Sequence, residues 1–415
     1  MKVFKFGGAS VKDAESVRNL AKVLKHEGVR DTLVIISAMG KMTNAFEKIV
    51  TAYLNKKSDL ESSIKFVKSF HKTILENLFE NKTHTIFLKV DELYKGLNTF
   101  LKKNTSEDYN YIYDQIVPFG ELLSTTIVSE YLTDIHIENN WIDVRDFIKT
   151  DASYRDAKVD WETTENHINT KLDQSKLNIT QGFLGGNNNI TTTLGREGSD
   201  FTAAIFAYCL NAKSVTIWKD VDGVLNADPR KFENTILLNR ISYKEAIEMA
   251  FYGASVIHPK TLKPLENKLI PLKVRSFENL NSKGTLVGKG EDIIPKVPCF
   301  IQKENQILVS ISALDFSFIL EHNLSDIFQH LHKFKLKVNL IQNSALSFSM
   351  CIEDRFNTFE DFYNTIRSRF KMTYNKNVTL YTIRHFDAAS KSKIENNNTV
   401  LLRQTSRETV QIVIE

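Results

Sequence analysis

The sequence predicts an α/β protein with a largely parallel central sheet in an α/β/α sandwich, followed by a smaller ferredoxin-like α+β domain. Over the first 290 residues, short apolar strand patterns alternate with amphipathic helix patterns, which favours a parallel sheet covered by helices. A segment rich in glycine, proline and charge follows at residues 288–298 and predicts a linker. Beyond it the order strand, helix, two strands, helix, strand is that of a ferredoxin-like unit. We therefore expect two domains, at residues 1–290 and 299–415.

The N-terminal elements follow from the spacing of apolar residues. Residues 2–6 predict a strand ended by two glycines, and the next apolar residues recur at helical spacing at Val17, Leu20, Ala21 and Leu24. The continuous apolar run at residues 33–36 is typical of a strand covered on both faces. Further strands are predicted at residues 179–184, 214–218 and 270–274.

Residues 60–130 interrupt this alternation with mostly helical patterns rich in lysine and glutamate. We expect them to form one wall or lid of a site. In the tail, the patterns predict helices at residues 325–334 and 359–370 and strands at residues 307–312, 338–341, 346–352 and 378–383. A last pair of strand patterns, at residues 399–402 and 409–414, predicts an extra hairpin.

Composition narrows the class of protein. Of 415 residues, 42% are hydrophobic and 25% charged, as in soluble globular proteins, and no apolar run approaches the roughly 20 residues that span a bilayer. The net charge of +4 is small and its basic pairs are soon followed by acids, so we expect neither a nucleic-acid nor a membrane partner. Three widely spaced cysteines and an N-terminus unlike a secretory signal predict a reduced, cytoplasmic protein.

The first candidate motif follows the first strand. Lys5 is followed by Gly7, Gly8 and a hydroxyl at Ser10, where a helix should start. Glycines let backbone N–H groups approach phosphate oxygens, and a helix N-terminus and a lysine add positive charge. The spacing is not that of a Walker A loop. The alternative is an ordinary strand–turn–helix with an exposed lysine.

The second motif is the most specific string in the chain, a threonine run that continues as Gly-Arg-Glu-Gly-Ser-Asp at residues 195–200. Arg196 could bind a carboxylate through two parallel hydrogen bonds. Ser199 and Asp200 stand where helix caps belong, so the alternative is that they only cap a helix starting near Phe201.

The third motif, at residues 218–230, packs Asp, Gly, Pro and Arg into one loop after a strand. Such a loop suits a nucleotide site at the carboxyl ends of parallel strands, although a solvated turn would have the same composition. We rank metal binding by Asp220 and Asp222 below capping and hydrogen bonding. His258, which precedes a proline, is expected to be a structural hydrogen-bonding residue at a helix boundary.

Together these motifs resemble the aspartate kinases of the amino-acid kinase superfamily. The resemblance spans essentially the whole of the first domain and continues more weakly into the tail. The matching segments, in chain order, are residues 5–8, 37–40 with Thr43-Asn44, 120–124, 192–200, 220–223 with 227–230, and Gly253-Ala254 with His258-Pro259.

The resemblance implies an ATP-dependent phosphotransferase. It would transfer the γ-phosphoryl group of ATP to the side-chain carboxylate of L-aspartate, the first step toward lysine, threonine and methionine. Arg196 would bind a carboxylate of aspartate and Glu121 its α-ammonium. Lys5 would stabilise the transferring phosphate, and Asp200 would organise that lysine. The full implied set is Lys5 and Asp200 as catalytic residues, Thr43, Glu121, Arg196 and Ser199 for aspartate, and Lys5, Gly7, Gly8, Lys219, Asp220 and Arg230 for ATP. Mg²⁺ would accompany ATP without an assigned protein ligand.

Three positions depart from the family pattern. Glu197 replaces a common glycine, Ser255 a common lysine and Leu225 a common aromatic residue. The last two affect details of ATP contact rather than the reaction.

The tail resembles the ACT regulatory domains of this family, which usually come in pairs. Here we expect one clear unit, a missing or reduced second unit, and no fused homoserine dehydrogenase. Lysine-sensing relatives carry acids at the positions of Asn339 and Ala345, so weak lysine feedback is expected, while Asn343 and Ser344 could still serve threonine. The resemblance also implies a homodimer formed through the tail.

Two other functions remain as alternatives. One is another superfamily kinase, acting on glutamate or acetylglutamate. Arg196 and the tail disfavour it. The other is a catalytically dead amino-acid sensor. Four intact residues disfavour it, namely Lys5, Glu121, Arg196 and Asp200.

Overall fold

The computed structural model describes residues 1–56, 59–254, 257–290, 293–315, 317–396 and 398–415. Their contacts divide the chain into two compact units. The first comprises Met1–Val224, Leu237–Ile247 and Ile257–Ile293, and the second comprises Leu225–Ile236, Glu248–Val256 and Ile294–Glu415. The folding domains 1–290 and 299–415 stay a prediction.

The first unit alternates strands and helices. Its strands are β1 Lys2–Phe6, β2 Thr32–Ile36, β3 Asn140–Trp141, β4 Asn178–Gln181, β5 Leu184–Asn187, β6 Ile190–Thr193, β7 Ser214–Lys219, β8 Arg240–Ser242, β9 Leu272–Ser276, β10 Thr285–Gly288 and β11 Ile293–Ile294. Its helices are α1 Ala14–Glu27, α2 Met42–Leu54, α3 Leu60–Leu78, α4 Thr85–Lys103, α5 Tyr109–Ile116, α6 Phe119–Asp134, α7 Trp161–Lys171, α8 Gly198–Cys209, α9 Tyr243–Tyr252 and α10 Pro259–Asn267. Only the first residues of α9, up to Ile247, are assigned to this unit.

A largely parallel sheet carries this unit, as predicted. Its strand order is β11-β8-β10-β9-β7-β1-β2-β4-β3, and the β9–β10 pair is antiparallel. β1 lies between β2 and β7, with Lys5 opposite Ile35 and Ile217. All residues of β2 are buried, which explains its continuous apolar run. Parallel strands end at one edge, so the loops after β1, β2 and β7 lie side by side there.

The predicted helical excursion is confirmed as α3 to α6. Helix α6 is buried nearly all round, including its polar residues Glu121 and Ser124. A helix with that burial positions polar side chains inside the unit rather than on its surface.

The strand predicted at residues 179–184 is wrong in its length. β4 ends at Gln181, and Phe183 takes a left-handed φ of 73° before the chain enters the β5–β6 hairpin. The Phe183 N–H donates to the Thr202 hydroxyl, 2.9 Å away, instead of continuing the ladder. At Gly182 a Cβ would meet the Ser199 Cβ at 2.4 Å, so the glycine lets helix α8 approach the end of the strand.

The second unit contains a six-stranded antiparallel sheet in the order β13-β14-β12-β15-β17-β16. Its elements are β12 Cys299–Ala313, α11 Glu321–Lys333, β13 Lys337–Asn343, β14 Ser347–Glu353, α12 Phe359–Ile366, β15 Phe370–Arg384, α13 Ala388–Glu395, β16 Val400–Thr405 and β17 Thr409–Ile414. The first six elements form the predicted ferredoxin-like unit, with strand order β13-β14-β12-β15. Its core includes Val309, Phe348 and Phe362.

The terminal hairpin is present, but it belongs to a larger arrangement than expected. β12 and β15 are each 15 residues long, and the start of β12 at residues 299–303 pairs with the end of β15 at residues 380–384. β17 adds to that end of β15 and β16 adds to β17. These strands and helix α13, which the sequence patterns did not predict, form a smaller ferredoxin-like arrangement within the second unit. It has one helix fewer than the full ferredoxin-like pattern.

The predicted linker at residues 288–298 is not a loop throughout. It contains β11, and residues 291–292 lie outside the described residues. No described helix has the length and apolar character needed to cross a membrane.

Candidate active site

The first unit contains a cavity of about 440 Å³ at the ends of β1 and β6. Six predicted residues line it, namely Lys5, Thr43, Glu121, Arg196, Ser199 and Asp200. They come from separate parts of the chain, and the charged side chains among them include both cations and anions. The structure therefore brings together the predicted catalytic and aspartate-binding residues.

Lys5 and Asp200 form an ion pair in this cavity. Lys5 is the last residue but one of β1, Asp200 lies in the first turn of α8, and Lys5 Nζ is 2.7 Å from Asp200 Oδ1. The alternative that Ser199 and Asp200 only cap a helix is wrong. The helix begins earlier, at Gly198, and its N-cap is Glu197. Lys5 is likewise not an exposed surface lysine, since its side chain is 12% exposed.

The glycines after β1 permit a close backbone approach. A Cβ at Gly8 would meet the carbonyl oxygen of Gly40 at 2.4 Å and that of Ala38 at 2.9 Å. The Gly40 N–H in turn donates to the Gly8 carbonyl, 2.9 Å away. The loops after β1 and β2 are thus packed together. Gly7 is less constrained, because its Cβ would meet only Lys5 Nζ, at 3.3 Å.

Glu121 is a buried carboxyl group with unused hydrogen-bonding capacity. It is 2% exposed, and its Oε1 accepts from the Ala38 N–H at 3.3 Å. Its Oε2 is buried and has no hydrogen-bond partner among the described residues. Burial raises the pKa of Glu121 to about 8, and the Ala38 N–H offsets only part of that shift. A cation placed at Oε2 would satisfy this oxygen and favour its charged form.

The segment carrying Arg196 is fixed by a residue that the sequence analysis missed. Asp114 of α5 is fully buried and accepts from the Thr193 N–H (2.8 Å) and hydroxyl (2.7 Å) and from the Arg155 N–H (3.0 Å). Burial raises the pKa of Asp114 to about 6 against these hydrogen bonds. Asp114 thus holds the strand before Arg196 and the loop at Arg155 in place.

The Arg196 side chain is exposed, and within the described part of the chain no hydrogen bond or ion pair engages its guanidinium. Its donors are therefore available to a ligand. The other residues that line the same cavity include Tyr113 and Arg155, which were not predicted. Neither lies in a recognisable motif, so only their position in the fold reveals them.

Glu197, one of the departures from the family pattern, takes a left-handed φ of 53° that explains why glycine is common there. Its Oε2 accepts from the His258 N–H at 3.0 Å. His258 caps α10, since its Nδ1 accepts from the Lys260 N–H at 3.2 Å. The structural role predicted for His258 is confirmed.

The structure does not test the ATP-binding roles of Lys219, Asp220 and Arg230, so these roles stay predictions. Lys219 ends β7, and Asp220 follows it with an exposed side chain. Arg230 belongs to the second unit, where its guanidinium donates to both oxygens of Asp228. Leu225 is half-buried, and Ser255 lies outside the described residues. Across the described ranges, no group of three or more His, Cys, Asp or Glu side chains is placed to hold a metal ion.

Comparison with known proteins identifies the family. Residues 1–276 match the amino acid kinase family. The lysine-sensitive aspartokinase 3 of Escherichia coli (strain K12) is 31% identical over 360 residues, which cover 85% of this chain and 78% of that protein. The chloroplastic bifunctional aspartokinase/homoserine dehydrogenase 2 of Arabidopsis thaliana is 30% identical over 384 residues, 89% of this chain but 42% of the plant protein. The chain thus spans less than half the length of that relative.

Crystal structures of E. coli aspartokinase III have the same fold. The complex with lysine and aspartate matches with a TM-score of 0.83 and 26% identity, and the complex with aspartate and ADP with 0.80 and 25%. Each comparison covers all of this chain and at least 95% of the other. Since the family match extends over well more than half of the chain and the bacterial relative is similar along most of its own length, the chain belongs to the amino acid kinase family and, within it, to the aspartokinases.

Proposed function

We propose that the protein is an aspartate kinase, which transfers the γ-phosphoryl group of ATP to the side-chain carboxylate of L-aspartate and forms 4-phospho-L-aspartate and ADP. The observation that carries this proposal is one cavity that contains the Lys5–Asp200 pair, the unpartnered oxygen of Glu121 and the free guanidinium of Arg196. The first serves a phosphate, the second an ammonium and the third a carboxylate.

Aspartate is held by charge complementarity. Its α-ammonium pairs with Glu121, whose Oε2 has no other partner in the described chain. Arg196 binds a carboxylate with its planar donor pair. Thr43, at the start of α2, and Ser199, in the first turn of α8, supply hydroxyl groups for the remaining oxygens.

The nucleotide's phosphates lie toward Lys5, Gly7 and Gly8, with Lys219 and Asp220 contributing to the nucleotide site. The loops after β1 and β2 are packed closely together, and Lys5 adds a full positive charge beside them. Mg²⁺ fits a site without a protein carboxylate cluster, because it usually retains waters and binds phosphate oxygens. Bound there, it would neutralise charge on the transferring group.

In this phosphoryl transfer the main task of the protein is to position the two substrates. A carboxylate oxygen of aspartate attacks the γ-phosphorus, the bond to the β-phosphate oxygen breaks, and the electron pair leaves with ADP. The nucleophile is already ionised near neutral pH, so no general base is needed. Lys5, oriented by Asp200, offsets the charge that accumulates when two anions approach.

The relatives support this assignment, since the E. coli structures contain aspartate, lysine or ADP. We also infer a homodimer formed through the second unit. β13 lies at an edge of its sheet, and the nearby Ile341 and Leu346 are 39% and 47% exposed.

A coupled assay for ADP release tests the function. We expect turnover with aspartate and ATP in the presence of Mg²⁺, and little with glutamate. Turnover with glutamate or acetylglutamate but not with aspartate would identify a different superfamily kinase. Aspartate binding without any ADP release would indicate a sensor. Light scattering of the purified protein tests the dimer.

A further inference from the structure

Arg155 has an unusual backbone conformation in the wall of the cavity. Its φ is +66°, in the left-handed region that non-glycine residues rarely adopt. The loop is held there, because the Arg155 N–H donates to buried Asp114, 3.0 Å away. Strained residues concentrate where a side chain must be placed for function.

The Arg155 guanidinium is oriented by aromatic rings. Its central carbon lies 4.4 Å from the centroid of Tyr113 and 5.3 Å from that of Tyr109. Tyr113 lines the same cavity as Arg196. Stacking on a ring leaves the in-plane N–H donors of a guanidinium free, so the rings orient Arg155 without using its donors.

Among the described residues, the one acidic partner of Arg155 is Glu47, and their ion pair is weak. Arg155 Nη2 lies 3.5 Å from Glu47 Oε1, and both side chains are about two-fifths exposed. Glu47 Oε1 also accepts from the Tyr109 hydroxyl at 3.1 Å. An exposed pair of this length contributes little. A ligand carboxylate in the cavity could therefore replace Glu47.

The other charged groups of the cavity leave one carboxylate of a dicarboxylic ligand without a cationic partner. Lys5 is neutralised by Asp200, and Glu197 is engaged with the His258 N–H. Arg196 is then matched to one carboxylate, whereas the acceptor of the proposed reaction carries two.

We propose that Arg155 is a second substrate-binding guanidinium, which binds the acceptor carboxylate that Arg196 does not bind and so favours dicarboxylic amino acids. This inference rests on the proposed function for the identity of the acceptor. Arg155 is a side chain of this particular loop, outside the motifs that identify the family.

Arg155→Gly tests it without adding backbone strain, because glycine accepts a positive φ. Lys56→Gly is the matched control. Lys56 is also cationic, exposed and left-handed, with a φ of 51°, and it lies outside the cavity lining. KM for aspartate, KM for ATP and Tm are measured for both variants and for the wild type.

We expect Arg155→Gly to raise the aspartate KM about tenfold or more, the effect of one lost hydrogen bond to a charged group. The ATP KM should stay within about twofold and the Tm should not fall. Arg155→Lys should recover part of the affinity. Glu47→Gln, which removes the competing carboxylate, should leave the aspartate KM unchanged or lower it.

Three results would overturn the inference: an unchanged aspartate KM in Arg155→Gly, an equal rise in Lys56→Gly, or a rise in the ATP KM alone. A wild-type protein without aspartate-dependent ADP release would instead refute the proposed function. Calorimetric titration with L-aspartate separates the two cases, since Arg155→Gly must weaken aspartate binding whether or not turnover occurs.

Discussion

Lys5 Nζ and Asp200 Oδ1 lie 2.7 Å apart, with side chains only 12% and 5% exposed. The pair joins the end of β1 to the first turn of α8, two elements separated by most of the first unit's sequence. Such a pair fixes the position of the lysine ammonium before a substrate arrives. Preorganised charge of this kind needs no rearrangement during the reaction.

Lys5→Ala should therefore reduce kcat by about two or more orders of magnitude, because a charged transition-state donor is lost. Aspartate affinity should change less, since Lys5 acts on the phosphate. Steady-state kinetics on the folded variant measure both. Near-normal turnover would remove Lys5 from the catalytic role.

Arg196→Lys tests the carboxylate contact. Lysine keeps the charge but loses the planar pair of donors, so the aspartate KM should rise strongly while the ATP KM barely moves. The opposite pattern would assign Arg196 to the nucleotide.

Gly8→Ala and Gly7→Ala form a matched pair that tests the packed loops. A Cβ at position 8 would overlap two backbone carbonyl oxygens, whereas one at position 7 would meet only the flexible end of Lys5. We expect Gly8→Ala to cost about 1–3 kcal/mol of stability and to impair ATP binding. Gly7→Ala should change the Tm much less. Equal Tm values for the two variants would show that the close approach at Gly8 does not matter.

The raised pKa of Glu121 predicts that aspartate binding depends on pH. Burial raises the pKa of Glu121 to about 8 from 4.5, so its protonated form prevails at neutral pH without ligand. This group therefore stabilises the ligand-free fold most below pH 4.5, and the contribution is lost as pH rises through about 8. Pairing with an ammonium requires the ionised form. Aspartate affinity should then rise about tenfold per pH unit up to pH 8.

Calorimetry in two buffers of different ionisation enthalpy should detect proton release on aspartate binding at pH 7. Glu121→Gln should bind aspartate more weakly and without that release. Wild-type binding with no proton release would mean that Glu121 is already ionised.

The hydrogen bonds of Asn339 predict how strongly lysine inhibits the protein. Its Oδ1 accepts from Lys303 Nζ at 2.8 Å and its Nδ2 donates to Gln306 Oε1 at 2.7 Å, so both ends of the amide are occupied within the second unit. Burial, with nearby Lys337, lowers the pKa of Lys303 to about 8. At position 339 a lysine ligand would meet an amide that is already hydrogen-bonded at both ends rather than a carboxylate. We expect weak or no inhibition at millimolar lysine.

Activity titrated with lysine and threonine, separately and together, checks this expectation. Threonine inhibition remains compatible with Asn343 and Ser344. Potent inhibition by lysine alone would contradict the weak lysine feedback predicted from Asn339 and Ala345.

The sequence by itself determined the elements and residues whose signals are local. The apolar spacing of α1 and the unbroken apolar run of β2 reflect burial along one element, so they are visible without a partner. The string around Arg196 and the glycines after Lys5 are likewise contiguous. Their resemblance to a family was sufficient to predict the cavity's central residues.

Only the tertiary structure decided the features that depend on distant partners. Asp114 lies 79 positions from Thr193 and 41 from Arg155 in the chain, and nothing near it in sequence reveals that it fixes both. The predicted strand at residues 179–184 ends early because Thr202, on another element, takes the Phe183 N–H.

Helix α13 escaped prediction for the same reason. It buries only Ser390 and Ile394, and its start depends on the reciprocal cap between Asp387 and Ser390. Local patterns report which face of an element is buried. Hydrogen bonds and charges between elements are set by where the fold places them, and that placement also brings Arg155 beside Tyr113 in the cavity wall.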